Sequence, residues 1–233
     1  EISCSLVGSE MCIRDSYISA AKKGAQCGDF IRKPDFEEFL KLHEICPVCL
    51  VDVAPEAEGS NAFAARAKAY CTVSAAHTNS DYETAEKAFE AGFSHATHLF
   101  NAMTQLGSRT PGVVGAVFDS DSVTAELICD GFHIAPATLR IAFQLLGEDR
   151  SVIVSDAMMA SGLADGDFEL GGQKVYVRDG KALLADGTIA ASTTNLYDEF
   201  RNVLRFGIPF RQALKSCTIN PARVIHADKA VSY

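Results

Sequence analysis

The chain has 233 residues, 48% of them hydrophobic, and a formal net charge of −9 with acidic and basic residues interspersed. No run of about 18 consecutive apolar residues occurs, which excludes a membrane-spanning helix, and no basic block occurs, which argues against nucleic acid or anionic membrane surfaces as partners. The length suits one globular domain or most of one, and a phosphorylated small molecule stays compatible, because a few local Arg or His side chains hold phosphate whatever the net charge.

In chain order, a helical pattern covers residues 36–45 and an apolar, strand-like run covers residues 48–54. A second run, 71–76, leads to His77, and a helix over 81–92 follows, with Ser80 or Asp81 as its cap and Gly92 as its stop. Strands are predicted at 94–99, 123–130 and 151–155, with a helix at 137–146 that ends before Gly147. Strands alternating with helices of this length indicate βαβ units, hence a parallel sheet or barrel. After Asp156 the pattern changes: residues 174–184 read as a hairpin turning at Asp179-Gly180, and amphipathic helices follow at 194–206 and 209–217, with Gly207 as a stop and Pro209 as a restart.

The eight cysteines (Cys4, Cys12, Cys27, Cys46, Cys49, Cys71, Cys129 and Cys217) are scattered, several within apolar runs. Buried free thiols account for them better than a disulfide framework, and with no secretory signal a cytoplasmic location is expected. Cys46-Pro47-Val48-Cys49 has no second pair to complete a structural zinc site.

Three polar residues end predicted strands: His77, His98 and Asp156. At the carboxyl ends of barrel strands such side chains converge on one mouth, and two imidazoles suit a borderline-soft divalent ion with an open position for water. Asp156 can then serve as the base that takes a proton from the attacking water; taken alone, it could equally cap a loop or pair with an Arg. His95, three positions before His98, should point to the opposite face of a strand and is read as structural or supporting. His43 and His226 read as surface or packing residues.

His77-Thr78-Asn79, the stretch from Ala96 to Met103, Cys129-Asp130-Gly131-Phe132-His133 and Val154-Ser155-Asp156-Ala157 stand in this order along the chain. Together they resemble the N-acetylglucosamine-6-phosphate deacetylase family of the amidohydrolase superfamily, and the similarity runs from about Tyr17 to the end. The resemblance implies an incomplete (β/α)8 TIM-like barrel within an α/β class, holding about strands 3–8, with a β-hairpin insertion after the last barrel strand. It implies hydrolysis of N-acetylglucosamine 6-phosphate to glucosamine 6-phosphate and acetate, a divalent metal (zinc first, iron or manganese as alternatives) on His77 and His98, and Asp156 as both base and acid. It also implies a homodimer for an intact member. His133 would contact substrate and polarise the scissile carbonyl. Asn101, Ala102 and Arg109 would hold the sugar phosphate, and Ala190 and Ala191 would lie over the acetyl group. Local alternatives stay open: a solvated loop residue for Arg109, a turn or cap for Asn101, and for residues 189–192 a turn into a helix capped by Ser192 or Thr193.

The chain departs from the family pattern before Tyr17. Where the family carries a metal-binding Glu this sequence has Arg14, which cannot ligate a metal, and Glu10 and Asp15 are out of register. Residues 5–15 read as a translated adapter, so residues 1–16 are expected to be non-native and residues 17–233 a partial barrel domain truncated at both ends. The competing functional reading is therefore a catalytically inactive fragment or a sugar-phosphate-binding remnant. Dihydroorotase-like or hydantoinase-like chemistry is a weaker option, since no His-x-His is present.

Overall fold

The computed structural model describes residues 17–26 and 28–230; Arg14, Glu10, Asp15 and the proposed non-native segment lie outside the described residues. Helix α1 (Phe36–Ile45) starts at Asp35, whose carboxylate accepts the N–H groups of Glu37 and Glu38, satisfying donors that a helix start leaves orphaned. Strands and helices then alternate: β1 (Leu50–Val53), α2 (Ser60–Ala67), β2 (Thr72–Ala75), α3 (Tyr82–Ala91), β3 (Phe93–Ala96), α4 (Gly112–Asp119), β4 (Thr124–Ile128), α5 (Pro136–Arg150) and β5 (Ser151–Val154). All neighbouring pairs are parallel, and the spatial order β1-β2-β3-β4-β5 is the chain order. Each helix therefore carries the chain from one strand to its immediate neighbour, as the alternating pattern predicts.

The amphipathic patterns explain the packing. In α3, Asp81 caps the first turn, Ala85 and Ala88 face inward, and Gly92 at φ 138° ends the helix. Helix α5 turns Leu139, Ala142, Phe143 and Leu146 onto the sheet. These side chains join Leu99, Val113, Val117, Leu127 and Ile153 in the largest apolar cluster. A second cluster gathers Phe36, Phe39, Phe63, Val53 and Val73 between α1, α2 and the β1–β2 edge. Gly147, expected to stop α5, does interrupt it: at φ 66° and ψ −166° it is non-helical, and Pro136–Arg150 is two helical stretches joined there. Glycine tolerates a positive φ that an L residue would resist, so the first helical stretch can end there and the chain turn into the second.

Beyond β5 comes a four-stranded antiparallel sheet: β6 (Gly166–Leu170), β7 (Gln173–Arg178), β8 (Lys181–Leu183) and β9 (Ile189–Ala191). The expected hairpin is its β7–β8 pair, with Asp179 at φ 51° and Gly180 at φ 74°, the positive dihedrals that a tight two-residue turn requires. The sheet has its own apolar cluster, built from Met158, Val175, Val177, Ala182 and Ala191. Residues 189–191 are thus a strand, and the following helix, α6 (Leu196–Arg205), is capped by Asn195 accepting from Asp198 N–H. This corrects the expectation of a Ser192 or Thr193 cap: Ser192 is occupied bridging to the Asp156 segment, so the helix begins later. Helices α7 (Phe210–Cys217) and α8 (Ile219–Val224) return to β5, where Asn220 Nδ2 donates to the carbonyls of Glu148 and Ser151, both at 2.8 Å. Among the described residues no helix is long and apolar enough to cross a membrane.

Candidate active site

Strands β2, β3 and β5 stop at Ala75, Ala96 and Val154, and each is followed two residues later by His77, His98 and Asp156. Two strands are shorter than their apolar runs predict: β3 does not reach Leu99, and β4 ends at Ile128 rather than Asp130. All three site residues leave their strands with left-handed backbones, at φ 43°, 36° and 47°. Left-handed non-glycine residues cost about 1–3 kcal/mol each and concentrate where structure serves a site. Because Ala75 pairs with Ala96, His77 and His98 leave adjacent strands in register. The same turn removes His98 from strand alternation. His95, still on β3, is fully buried, with Nδ1 at 2.6 Å from Thr124 Oγ1 and Nε2 at 3.3 Å from Glu126 Oε1. It fits the supporting role expected of it.

The two imidazoles meet with Nε2 to Nε2 at 3.1 Å and the rings nearly perpendicular, at 86°. His77 Nδ1 lies 2.8 Å from the Lys22 carbonyl, an acceptor, so Nδ1 donates and Nε2 carries the lone pair. Burial, and then the neighbouring His98, push the His77 pKa down to about 3, which keeps the ring neutral. A neutral imidazole oriented by a carbonyl behind it is the usual state of a metal-binding histidine. Two metal–nitrogen bonds of about 2.0–2.1 Å at a tetrahedral angle place the nitrogens roughly 3.3 Å apart, close to the spacing found. His98 Nδ1 is buried without a hydrogen-bond partner. Among the described residues no third His, Cys, Asp or Glu completes a cluster. The donor pair fits a divalent ion as two ligands of a larger set.

Burial raises the pKa of Asp156; Glu126 and Asp130 push the same way, while His98 and His133 oppose them. Its carbonyl accepts from Ser192 N–H at 2.9 Å, so the end of the small sheet clamps the backbone that presents the carboxylate. A cavity of about 640 Å³ is lined by His77, His98, Asn101, Ala102, His133 and Asp156, and by Ala190 and Ala191 from β9. That volume suits a small ligand. His133 stands five residues beyond the end of β4, in a loop rather than at the strand end. Asn101 donates from Nδ2 to the carbonyls of His98 and Leu99, and Ala102, at φ 49°, accepts from Thr78 N–H. Arg109 is exposed between β3 and α4 and is not part of the cavity lining, unlike the other residues expected there.

Residues 53–231 match the model of the Amidohydrolase family. The chain belongs to the Amidohydrolase family. This amidohydrolase is 36% identical over 208 residues to N-acetylglucosamine-6-phosphate deacetylase of Bacillus subtilis, covering 87% of the chain and 52% of that protein. It is 31% identical to N-acetylgalactosamine-6-phosphate deacetylase of Escherichia coli O157:H7, covering 91% and 57%. A structure of the Mycobacterium smegmatis N-acetyl-D-glucosamine-6-phosphate deacetylase with N-acetyl-D-glucosamine-6-phosphate superposes with a TM-score of 0.87 at 33% identity, covering 91% of the chain and 58% of that protein. The chain spans about half the length of the curated relatives it matches.

The amidohydrolase also has site residues that the sequence reading did not single out. Lys22, Gly24, Ala25 and Gln26 line the cavity beside His77, and the tip of the β6–β7 hairpin, Leu170 and Gly171, lines it from above. Gln173 Nε2 donates to the Ala25 carbonyl at 2.9 Å. The Lys22-Lys23-Gly24-Ala25 stretch fell within the family resemblance; its contact with Gly171 left no trace in the sequence. Asp52, half-buried on β1, accepts a hydrogen bond from Thr97 Oγ1 at 2.7 Å, and burial raises its pKa to about 6 against that bond. Cys46 and Cys49 are half-buried and lie outside the cavity.

Proposed function

We propose that this protein is a metal-dependent deacetylase that hydrolyses N-acetylglucosamine 6-phosphate to glucosamine 6-phosphate and acetate. The observation that carries the reading is the convergence of His77, His98 and Asp156, from the turns after β2, β3 and β5 of one parallel sheet, on a single cavity. The five parallel strands read as part of a (β/α)8 barrel occupying residues 17–233, with β6–β9 inserted after its last strand.

His77 and His98 would hold the metal, zinc by preference; a divalent ion there lowers the pKa of water toward neutrality and polarises a carbonyl. Asp156 accepts the proton of the attacking water as its oxygen bonds to the acetyl carbon, then delivers that proton to the amide nitrogen as the C–N bond breaks. A carboxyl group whose pKa is raised by burial suits both transfers, since it must take the proton and give it back. His133 donates a hydrogen bond to the oxygen that becomes negative in the tetrahedral intermediate. Asn101 and Ala102 receive the sugar phosphate, and Ala190 and Ala191, being small, leave room for the acetyl methyl. Arg109 lies on an exposed loop outside the cavity lining. Among the described residues Cys71 and Cys129 are buried thiols, which supports a reducing, cytoplasmic setting. A homodimer belongs to the same reading and is checked by light scattering.

Metal analysis of the purified protein, paired with acetate release from N-acetylglucosamine 6-phosphate, N-acetylgalactosamine 6-phosphate and unphosphorylated N-acetylglucosamine, tests the proposal. The expected result is bound divalent metal and turnover that prefers the phosphorylated gluco sugar. Preference for the galacto sugar moves the substrate to the second group of relatives. Sugar-phosphate binding with neither metal nor turnover identifies a binding remnant and ends the deacetylase reading.

A further inference from the structure

Strand β4 also ends two residues before an ionisable side chain, Asp130, which the proposed chemistry leaves unused. Its carboxylate is engaged on both oxygens: Oδ1 accepts the N–H groups of Phe132 and His133, each at 2.8 Å, and Oδ2 lies 2.6 Å from His133 Nδ1. The side chains are 3% and 6% exposed, respectively, so water hardly competes. Burial alone would raise the Asp130 pKa, but the hydrogen bonds and charge of His133, with the two backbone donors, hold it below the usual carboxylate value.

An ionised carboxylate can only accept, so His133 Nδ1 must carry a hydrogen. The ring lines the cavity and has only Nε2 left to offer a ligand. In a neutral ring that nitrogen is an acceptor. To donate to a substrate oxygen that nitrogen must carry a hydrogen as well, and the Asp130 carboxylate lies 2.6 Å away on the opposite edge of the ring. We propose that Asp130 is the positioning residue of the site: it fixes the Nδ1–H form and the orientation of His133, so that Nε2 is turned to the substrate oxygen. The catalytic part rests on the deacetylase reading; the His133 tautomer does not.

The test uses ring nitrogen–proton correlation spectra of histidine-labelled protein, together with steady-state kinetics on N-acetylglucosamine 6-phosphate. The unmodified protein should show His133 protonated at Nδ1; an Nε2–H neutral form in that spectrum overturns the proposal without any variant having to fold. Asp130→Asn keeps an acceptor for the backbone donors while removing the charge. It should redistribute the His133 tautomers and lower kcat by about 10²–10⁴-fold with KM changed far less, the range for losing a general acid–base partner or its orienting carboxylate. On a His133→Ala background the same Asp130→Asn change should cost less than about threefold, because residues acting as one unit are non-additive. An unchanged ring spectrum, or a full additional loss on that background, assigns Asp130 to loop structure and refutes the positioning role. If the unmodified protein deacetylates no sugar, the deacetylase reading fails while the spectra still decide the tautomer.

Discussion

At the residue scale, the left-handed backbones of His77, His98 and Asp156 turn side chains at the end of a sheet into a site. His and Asp enter this region more readily than most residues, which lets strain of about 1–3 kcal/mol per position be held without glycine. The same tolerance makes a clean test possible. Asp156→Asn keeps shape and backbone preference but loses the proton-carrying carboxylate. We expect kcat for acetate release to fall by about 10²–10⁴-fold, with thermal unfolding and metal content close to the unmodified protein. Retention of more than a tenth of the activity would show that another group moves the proton. His77, His98 and Asp156 were legible in the sequence as candidates, because each follows an apolar, strand-like run. Their geometry was not: alternation along a strand placed His95 and His98 on opposite faces, whereas the strand had already stopped at Ala96.

At the element scale, the small antiparallel sheet does more than follow the parallel one. Its β9 end clamps the Asp156 backbone through Ser192, and its β6–β7 tip rests on the loop whose Lys22 carbonyl orients His77. Gly171 makes that contact possible. It sits at φ 57°, and a Cβ there would lie 2.8 Å from the Ala25 carbonyl oxygen. Gly171→Ala should therefore destabilise the protein by about 1–2 kcal/mol, the usual cost of a left-handed L residue, and urea unfolding would measure it. Hydrogen exchange at residues 22–26 should speed up with it; an unaltered midpoint and unaltered exchange would mean that the tip and loop are independent. The β7–β8 turn was legible because Asp-Gly has local turn chemistry, whereas β6 and β9 lacked such a signal and took their identity from the strands beside them.

At the scale of the whole molecule, Glu199 ties the end of the small sheet to the helical layer. It is fully buried, accepts from Thr194 Oγ1, and sits near Cys129 at the end of β4. Burial raises its pKa from 4.5 to about 8. An acid with a raised folded pKa binds its proton more tightly when folded. Its contribution to stability is therefore complete below pH 4.5 and is lost progressively as pH rises through about 8. The unfolding temperature should accordingly decline across that window, and Glu199→Gln, neutral at every pH, should flatten this part of the profile. A wild-type and variant pair with parallel profiles would show that Glu199 is ionised in the fold. The parallel sheet itself ends at β1 and β5, each with one strand neighbour among the described residues.

The sequence by itself determined the class of the fold, the alternation of its parallel strands with helices, and the family, because periodicity, caps, turn residues and short motifs are local properties of the chain. Only the tertiary structure decided that His77 and His98 face each other at 3.1 Å, that Asp130 backs His133, that β9 holds Asp156, and that Arg109 stands apart from the cavity. Each of these depends on where separate strands and turns come to rest against one another, and no local pattern encodes that distance.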